Sequence, residues 1–78
     1  MCLAIPAKIE SINADDRMAR VDILGIKREV ALDLTPQAQI GDFVLVHAGY
    51  AIEIVSEDSA LETLELIREF PELAGENF

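Results

Sequence analysis

The first 55 residues show the two-residue alternation of apolar and polar side chains that is typical of β-strands with one buried face. The alternation occurs in three segments, whose apolar sets are Ile5, Ala7 and Ile9, then Ala19, Val21 and Ile23, then Val30, Leu32 and Leu34. A continuous apolar run from Phe43 to Val46 predicts a fourth strand that is covered on both faces. Residues 51–55 predict a short fifth strand.

Residues that favour turns separate these segments, as a series of short strands requires. They are Asn13, Asp15 and Asp16, then Gly25, then Thr35 and Pro36, then Gly41 and Asp42, and finally Gly49. Gly25 is compatible with either a tight turn or a bulge. Because proline cannot donate to a ladder, Pro36 ends the third strand. Strands of this length and spacing predict a mainly β domain in residues 1–55, either a small barrel or a sandwich.

From residue 56 onward the apolar spacing becomes helical. The residues that would share one broad apolar face are Ala60, Leu61, Leu64 and Ile67, with Phe70 or Pro71. Ser56 is expected to cap this helix, although Ser59 with Glu62 could form a capping box three residues later. The pattern predicts a helix within residues 56–71, packed on the barrel or extending from it, and a tail over 72–78.

Composition and charge narrow the range of functions that the chain could have. The chain has 78 residues, of which 51% are hydrophobic, so it is one small domain whose core is marginal. Its six Lys and Arg face fifteen Asp and Glu, which gives a net charge of −9. Residues 57–78 hold seven acidic residues and one basic residue, Arg68. This balance argues against binding to nucleic acid and against an anionic membrane, because both require clustered Lys and Arg.

Cysteine usage and hydropathy predict a cytoplasmic location. A single cysteine excludes an internal disulfide and fits a reducing compartment. No apolar run approaches the roughly 20 residues of a transmembrane helix, and the N-terminal residues lack the pattern of a signal peptide. With one Cys, one His and no Trp, the chain offers little material for a self-contained enzyme, so a binding or carrier role is favoured.

Cys2 is the first candidate for chemistry. Methionine aminopeptidase removes Met1 when the second residue is small, so we expect the mature chain to begin at Cys2. The thiol would then lie beside a free α-amine of pKa about 7.7–8.0, and a positive neighbour favours the thiolate that binds metals. The alternative interpretation is that Cys2 is a small buried apolar residue.

His47 is the second candidate, because it is the single histidine and follows the apolar run of the fourth strand. A histidine at a strand end is often a structural hydrogen-bonding residue, and it is also a metal ligand or a proton acceptor. Cys2 and His47 are too few for a structural zinc site, which takes four ligands. Two ligands would suit a metal that is shared with another molecule and passed on.

Two motifs of the chain resemble those of the HypC/HupF family of hydrogenase maturation chaperones. The opening, from Met1 to Lys8, is similar to the N-terminal signature of the family, and the run from Gly41 to Ala51 is similar to its second motif. Residues 21–30 resemble the family's middle segment, and the resemblance extends from residue 1 to about residue 70. One difference is that Leu24 precedes Gly25, where family members often have two glycines.

The resemblance implies an OB-type β-barrel of about five strands with a C-terminal α-helix. It also implies a non-enzymatic role in building the iron centre of [NiFe]-hydrogenases. The implied partners are the iron–sulfur scaffold protein HypD and the precursor of the hydrogenase large subunit. The implied cargo is iron held transiently as the Fe(CN)2CO fragment, with Cys2 and His47 matching the family's cysteine and histidine; no tightly bound cofactor is expected.

The partner contact is expected at the N-terminal strand, because the thiol must reach the partner. Its residues are Cys2, Leu3, Ala4, Ile5 and Pro6. Since Pro6 cannot complete a central ladder, this strand should lie at an edge or start there. The helix is a second expected contact. Three other classes stay open: an adaptor that bridges the partners without carrying iron, an OB-type nucleic-acid binder, which the charge disfavours, and a thiol enzyme. The thiol enzyme is the weakest of the three, since His47 is the one base available to activate Cys2.

Overall fold

The computed structural model describes residues 5–69, which form a five-stranded barrel followed by one helix. The elements are β1 Ile5–Asn13, β2 Met18–Ile23, β3 Ile26–Ala31, β4 Phe43–His47, β5 Tyr50–Val55 and α1 Glu57–Glu69. The strands follow one another in the order β1-β2-β3-β5-β4 and close on β1. All neighbours are antiparallel except β3 and β5, which are parallel. The expected mainly β, OB-type barrel with a C-terminal helix is therefore confirmed.

The interior of the barrel is filled by the apolar sets that the alternation predicts, because successive side chains of a strand point to opposite faces. The strand residues of this core are Ile5, Ala7, Ile9, Ala19, Val21, Ile23, Val30, Val44, Val46 and Ala51, each at most 3% exposed. Small and β-branched side chains suit the narrow space inside a five-stranded barrel. The fourth strand is covered on its outer face as well, since Phe43 is buried and Leu45 half-buried.

β1 pairs with a different neighbour along each of its halves. Residues 5–8 pair with β4, and β2 joins at Lys8 and continues to Asn13. Pro6 lies opposite Leu45 in the first half, before β2 begins, so the strand starts here as its proline requires. The two halves meet at Lys8, which has a partner in both neighbours, and a bulge that places Glu10 as an extra residue between Ile9 and Ser11 follows within the pairing with β2. Such a bulge bends a strand, and here it lets β1 serve both sides of the closure.

Two-residue turns connect β2 to β3 and β4 to β5. Leu24 and Gly25 have φ values of 51° and 91°, and Ala48 and Gly49 have values of 53° and 85°. Positive φ at both central residues defines the type I′ turn, whose twist matches that of the flanking strands. Gly25 therefore forms a tight turn rather than a bulge.

The third strand is shorter than the alternation predicts. β3 ends at Ala31, and Leu34, expected on the buried face, is 62% exposed. The chain turns away because the Thr35 N–H donates to the Leu32 carbonyl, at 3.0 Å. Thr35 is buried, and its hydroxyl donates to the Ala51 carbonyl of β5, at 3.5 Å. The connection to β4 thus covers part of the barrel without continuing the strand.

α1 has the predicted cap and most of the predicted face. The Ser59 N–H donates to Ser56 Oγ, at 3.2 Å, which confirms Ser56 as the cap and makes the alternative box at Ser59 wrong. Ala60 and Ile67 are buried where α1 packs on β1 and β4. Leu61 is 50% exposed, contrary to the prediction, because one residue rotates a side chain by about 100° around a helix. Phe70 and Pro71 lie outside the described residues, as does the tail.

Within residues 5–69, no helix is long and apolar enough to span a bilayer.

The cap can be tested by removing its hydroxyl. Ser56→Ala should lower the free energy of unfolding by about 1 kcal/mol, because one N–H of the first turn loses its acceptor. Ser59→Ala is the matched control and should change it little, since the Ser59 backbone N–H, not its side chain, makes the bond. Urea denaturation measures both, and equal losses would contradict this assignment of the cap.

Candidate functional site

His47 is the last residue of β4, directly before the turn of Ala48 and Gly49. Val44 and Val46 point into the core, so His47 belongs to the outer face of the barrel, where it is half-buried. Its cross-strand neighbour is Tyr50, which is 48% exposed. The imidazole therefore lies at the rim of the barrel, within reach of solvent and of a partner.

The turn beside His47 is fixed on both sides. β4 and β5 pair from Phe43 to His47, and the Ala31 N–H of β3 donates to the Gly49 carbonyl, at 2.9 Å. The turn thus belongs to the barrel closure as well as to its own hairpin. This places the imidazole on a rigid element, as a binding residue requires.

The pairing of β1 with β4 brings the start of the described chain to the same end of the barrel. Ile5 lies opposite Val46, the residue before His47. Because β1 and β4 are antiparallel, the first residue of one strand and the last residue of the other lie at one end. The β2–β3 turn lies at this end too, since β2 runs antiparallel to β1. Cys2, Leu3 and Ala4 lie outside the described residues.

The structure describes two of the five residues expected to contact partners. Ile5 and Pro6 are both fully buried. A partner would therefore not reach these side chains unless the barrel opened. The contact through residues 2–6 stays a prediction, and it falls mainly on the residues before Ile5.

Among residues 5–69, no group of three or more His, Cys, Asp or Glu side chains is placed to hold a metal ion. His47 is therefore not part of a three-ligand site made by this part of the chain. The same residues contain no buried side-chain polar atom without a hydrogen-bond partner. What the site offers chemically is one imidazole at the rim, which can act as a ligand, a donor or an acceptor.

The neighbouring β2–β3 hairpin is held by a small network of charges. Asp22 Oδ1 accepts from the Gly25 N–H, at 3.0 Å, and lies 3.4 Å from Lys27 Nζ. Lys27 Nζ also donates to Glu10 Oε2, at 2.6 Å, and this bond raises the pKa of Lys27 above its ordinary value of 10.5. Because the pKa is raised on folding, the pair stabilises below pH 10.5 and is lost as the pH passes the raised value.

Comparison with known proteins assigns the chain to a family. The model of the HupF/HypC family matches residues 1–67. The chain belongs to this family. A hydrogenase maturation factor HypC of Helicobacter hepaticus is 51% identical over 67 residues, which cover 85% of this chain and 77% of the relative. HypC of Cupriavidus necator is 42% identical over 69 residues, which cover 88% of this chain and 76% of the relative. The maturation factor HybG of Escherichia coli is 36% identical over 74 residues, which cover 88% and 90%.

Most of the second HupF/HypC motif has a structural explanation in this chain. The Gly41 N–H donates to the Ile9 carbonyl, at 2.9 Å, and so ties the start of the motif to β1. Val44, Val46 and Ala51 are fully buried. His47 is different, because neither the core nor the turn needs an imidazole at this position. The fold therefore does not account for the histidine at this position.

Tyr50 lies within the motif from Gly41 to Ala51, but sequence analysis did not identify it as part of the site. The two-residue turn makes Tyr50 the direct cross-strand neighbour of His47. The signal was present, since Ala48 and Gly49 form a two-residue loop between two apolar runs, which is typical of a hairpin. Lys27 and Glu29 of β3 lie in the segment that resembles the middle of the family sequence, but sequence analysis did not identify them as part of an exposed edge.

The turn that carries His47 can be tested through its glycine. A Cβ added at Gly49 would meet no heavy atom within 4 Å, so the cost of Gly49→Ala is purely conformational. At a φ of 85°, this substitution should lower the free energy of unfolding by about 1–2 kcal/mol.

Ala48→Gly is the matched control at the other central position of the turn. It should leave the free energy of unfolding unchanged or raise it, because glycine relieves the positive φ of Ala48. Urea denaturation measures both variants. A loss of stability in Ala48→Gly as large as that in Gly49→Ala would contradict the type I′ assignment.

Proposed function

We propose that this chain is a non-enzymatic carrier that holds the Fe(CN)2CO fragment of [NiFe]-hydrogenases between Cys2 and a partner, with His47 beside it. Membership of the HupF/HypC family supports a role in hydrogenase maturation. The observation that carries the finer proposal is the pairing of Ile5 with Val46. It ties the start of the described chain to the end of the barrel that presents His47.

Covalent geometry limits how far the thiol can be from this end. Cys2 precedes Ile5 by three residues, so their Cα atoms are separated by at most about 11 Å. Directly opposite Cα atoms in an antiparallel pair are about 5 Å apart, so Ile5 itself lies beside Val46. In any conformation of residues 2–4, the thiol therefore stays tethered near the His47 end. This supports joint action of the two residues on one metal.

The two side chains suit the proposed cargo. Iron carrying cyanide and carbon monoxide is a soft centre, which a thiolate ligates well. The diatomic ligands fill only part of the coordination sphere, so Cys2 leaves positions for a donor from the partner. His47 would then be a second ligand or a hydrogen-bond partner of the cargo. Exchange of one thiolate for another would hand the iron onward without releasing it to water.

The partners that fit this role are the scaffold protein HypD, as the source of the iron fragment, and the precursor of the hydrogenase large subunit, as its destination. The contact would begin at residues 2–6, because the thiol must enter the partner's site. α1 is the second expected contact, and its exposed surface carries Leu61 and Leu66 among carboxylates. The two leucines lie five residues apart, about 140° around the helix, so each would meet a partner separately.

The role of the thiol can be tested with Cys2→Ala, which keeps a small second residue and hence the expected removal of Met1. The wild-type chain, purified from cells that mature hydrogenase, should show infrared bands of cyanide and carbon monoxide. Cys2→Ala should lose those bands and yield inactive hydrogenase, because no thiolate remains to hold the iron. Cys2→Ala that retained the bands and matured the enzyme would contradict the proposal.

A thiol placed elsewhere on β1 provides the control. Ser11 is exposed, so Ser11→Cys in the Cys2→Ala background restores one thiol at a distance from the His47 end. This double variant should not recover the infrared bands. If wild-type protein matures hydrogenase and shows no such bands in any complex, the chain is an adaptor that does not carry iron.

His47 can be tested separately from the thiol. His47→Ala should keep the fold, because the imidazole is at the rim, and should retain less iron per chain than the wild type. His47→Gln, which keeps a polar side chain, should retain an intermediate amount if His47 acts as a hydrogen-bond partner and as little as His47→Ala if it is a ligand. Iron content by metal analysis is the measurement, and wild-type retention in both variants would exclude a role for His47.

A further inference from the structure

The barrel is closed between β3 and β5 by a single residue pair. β3 pairs with β2 along its whole length, from Ile26 to Ala31, without a shift in register. Its other edge meets β5 only at Ala31, which lies opposite Tyr50. Within the part of the chain that the structure describes, residues 26–30 therefore have a strand on one side only. The β2–β3 hairpin extends past the closure with an open edge.

The direction of the backbone groups along this edge follows from one observed bond. The Ala31 N–H donates to the Gly49 carbonyl, so Ala31 turns its backbone groups away from β2. In an antiparallel pair, alternate residues direct these groups toward the neighbour and away from it. Since the register is unbroken, Glu29 and Lys27 also direct their N–H and C=O outward. These four groups form a row spaced to pair with an added strand.

We propose that an extended segment of a partner protein adds to this edge as a β-strand opposite Lys27 and Glu29. The proposal rests on the proposed function, in that the partner is a protein that exchanges iron at the His47 end. Addition of a strand to an exposed edge is a common mode of peptide recognition, in which backbone bonds give affinity and side chains give specificity.

The charges along the edge define the chemistry of that segment. Lys27 and Glu29 lie on the same face of β3, with opposite signs. Lys27 is already bonded to Glu10 and lies near Asp22, so an antiparallel segment is complementary when it places a basic residue opposite Glu29. The segment also lacks proline where it must donate a backbone N–H.

A second copy of this chain fits the edge less well. In the antiparallel self-pairing, the basic residue opposite Glu29 would be Lys27 of the other copy, which is already bonded to Glu10 of its own chain. Each copy has a net charge of −9, so the two chains repel one another as they approach. A different protein is therefore the better occupant.

The position of the hairpin agrees with a partner that acts at the end of the barrel that presents His47. The Leu24–Gly25 turn lies at the end of the barrel where β1 starts and β4 stops. Leu24 and Ile26 are 40% and 47% exposed there. Leu24 also has a φ of 51°, a conformation that a leucine adopts at a cost and that asparagine or glycine would adopt more readily. A strand added beside them would cover both apolar side chains.

Amide hydrogen exchange in the full chain tests the proposal. In the free protein, the outward Lys27 and Glu29 amides should exchange quickly, whereas the Arg28 amide, which is directed toward β2, should be protected. On addition of purified HypD or large-subunit precursor, protection of Lys27 and Glu29 should rise by at least about tenfold with one of the two proteins, as expected for amides that gain a strand partner. Arg28 serves as the internal control.

Variants at one position separate the backbone from the side chain. Glu29→Pro removes the outward N–H and leaves the ladder with β2, so it should weaken binding of that partner by about tenfold. Glu29→Ala keeps the N–H and should weaken binding less. Glu29→Lys tests the charge match without a proline, in case Glu29→Pro does not fold. Binding is measured by calorimetry, and circular dichroism checks each fold.

The outcomes separate this proposal from the proposed function. If the wild-type chain binds neither protein, the proposed function fails and the added strand with it. If the wild-type chain binds one of the two proteins but Lys27 and Glu29 gain no protection, the proposal of an added strand is wrong and the proposed function is unaffected. Protection already present in the free monomer would mean that the chain covers its own edge. Protection that rises with the concentration of this chain alone would assign the edge to a second copy. Either result would overturn the proposal.

Discussion

The divided pairing of β1 is the constraint on which the rest of this structure depends. Its first half pairs with β4 and its second half with β2, the two halves meet at Lys8, and a bulge at Glu10 follows in the second half. This arrangement closes a barrel from only five strands and buries an aliphatic core on its inside. The same pairing brings the start of the described chain beside Val46. Fold stability and the placement of the candidate site are therefore set by one strand.

The candidate site uses few residues beyond those that the fold already requires. The β4–β5 hairpin is held by its ladder, by buried valines and by the bond from Ala31 to Gly49, and His47 is attached to its rim. A chain of 78 residues has a marginal core, so it cannot easily bury several polar ligands of its own. In the proposed function, a single imidazole at the rim and a thiol near the chain start would avoid that cost, because the partner would complete the coordination.

Closure of so small a barrel also leaves part of it unpaired. β3 and β5 overlap at one residue pair beside His47, and the hairpin of β2 and β3 extends beyond this pair, past the start of β5. Lys27, held by Glu10 and Asp22, keeps this hairpin tied to β1. An open edge beside the rim that carries His47 is a feature that an assembly protein can use, since backbone groups bind a partner without requiring further side chains from a small domain.

The sequence by itself indicated most of the strands, the turn positions and the start of the helix, because these depend on neighbours in the chain. Alternation predicted the inward residues of β1 and β2, and Gly49 separated the last two strands. The sequence left Gly25 open between a turn and a bulge, and the helix cap open between Ser56 and Ser59. Leu34 and Leu61 were misplaced, since a turn bonded to distant strands and the angle at which α1 packs decide their exposure. The closeness of Ile5 to Val46 and the open edge at Lys27 and Glu29 depend on register between strands far apart in sequence. Only the tertiary structure decides that register, because it is set by how the whole barrel closes.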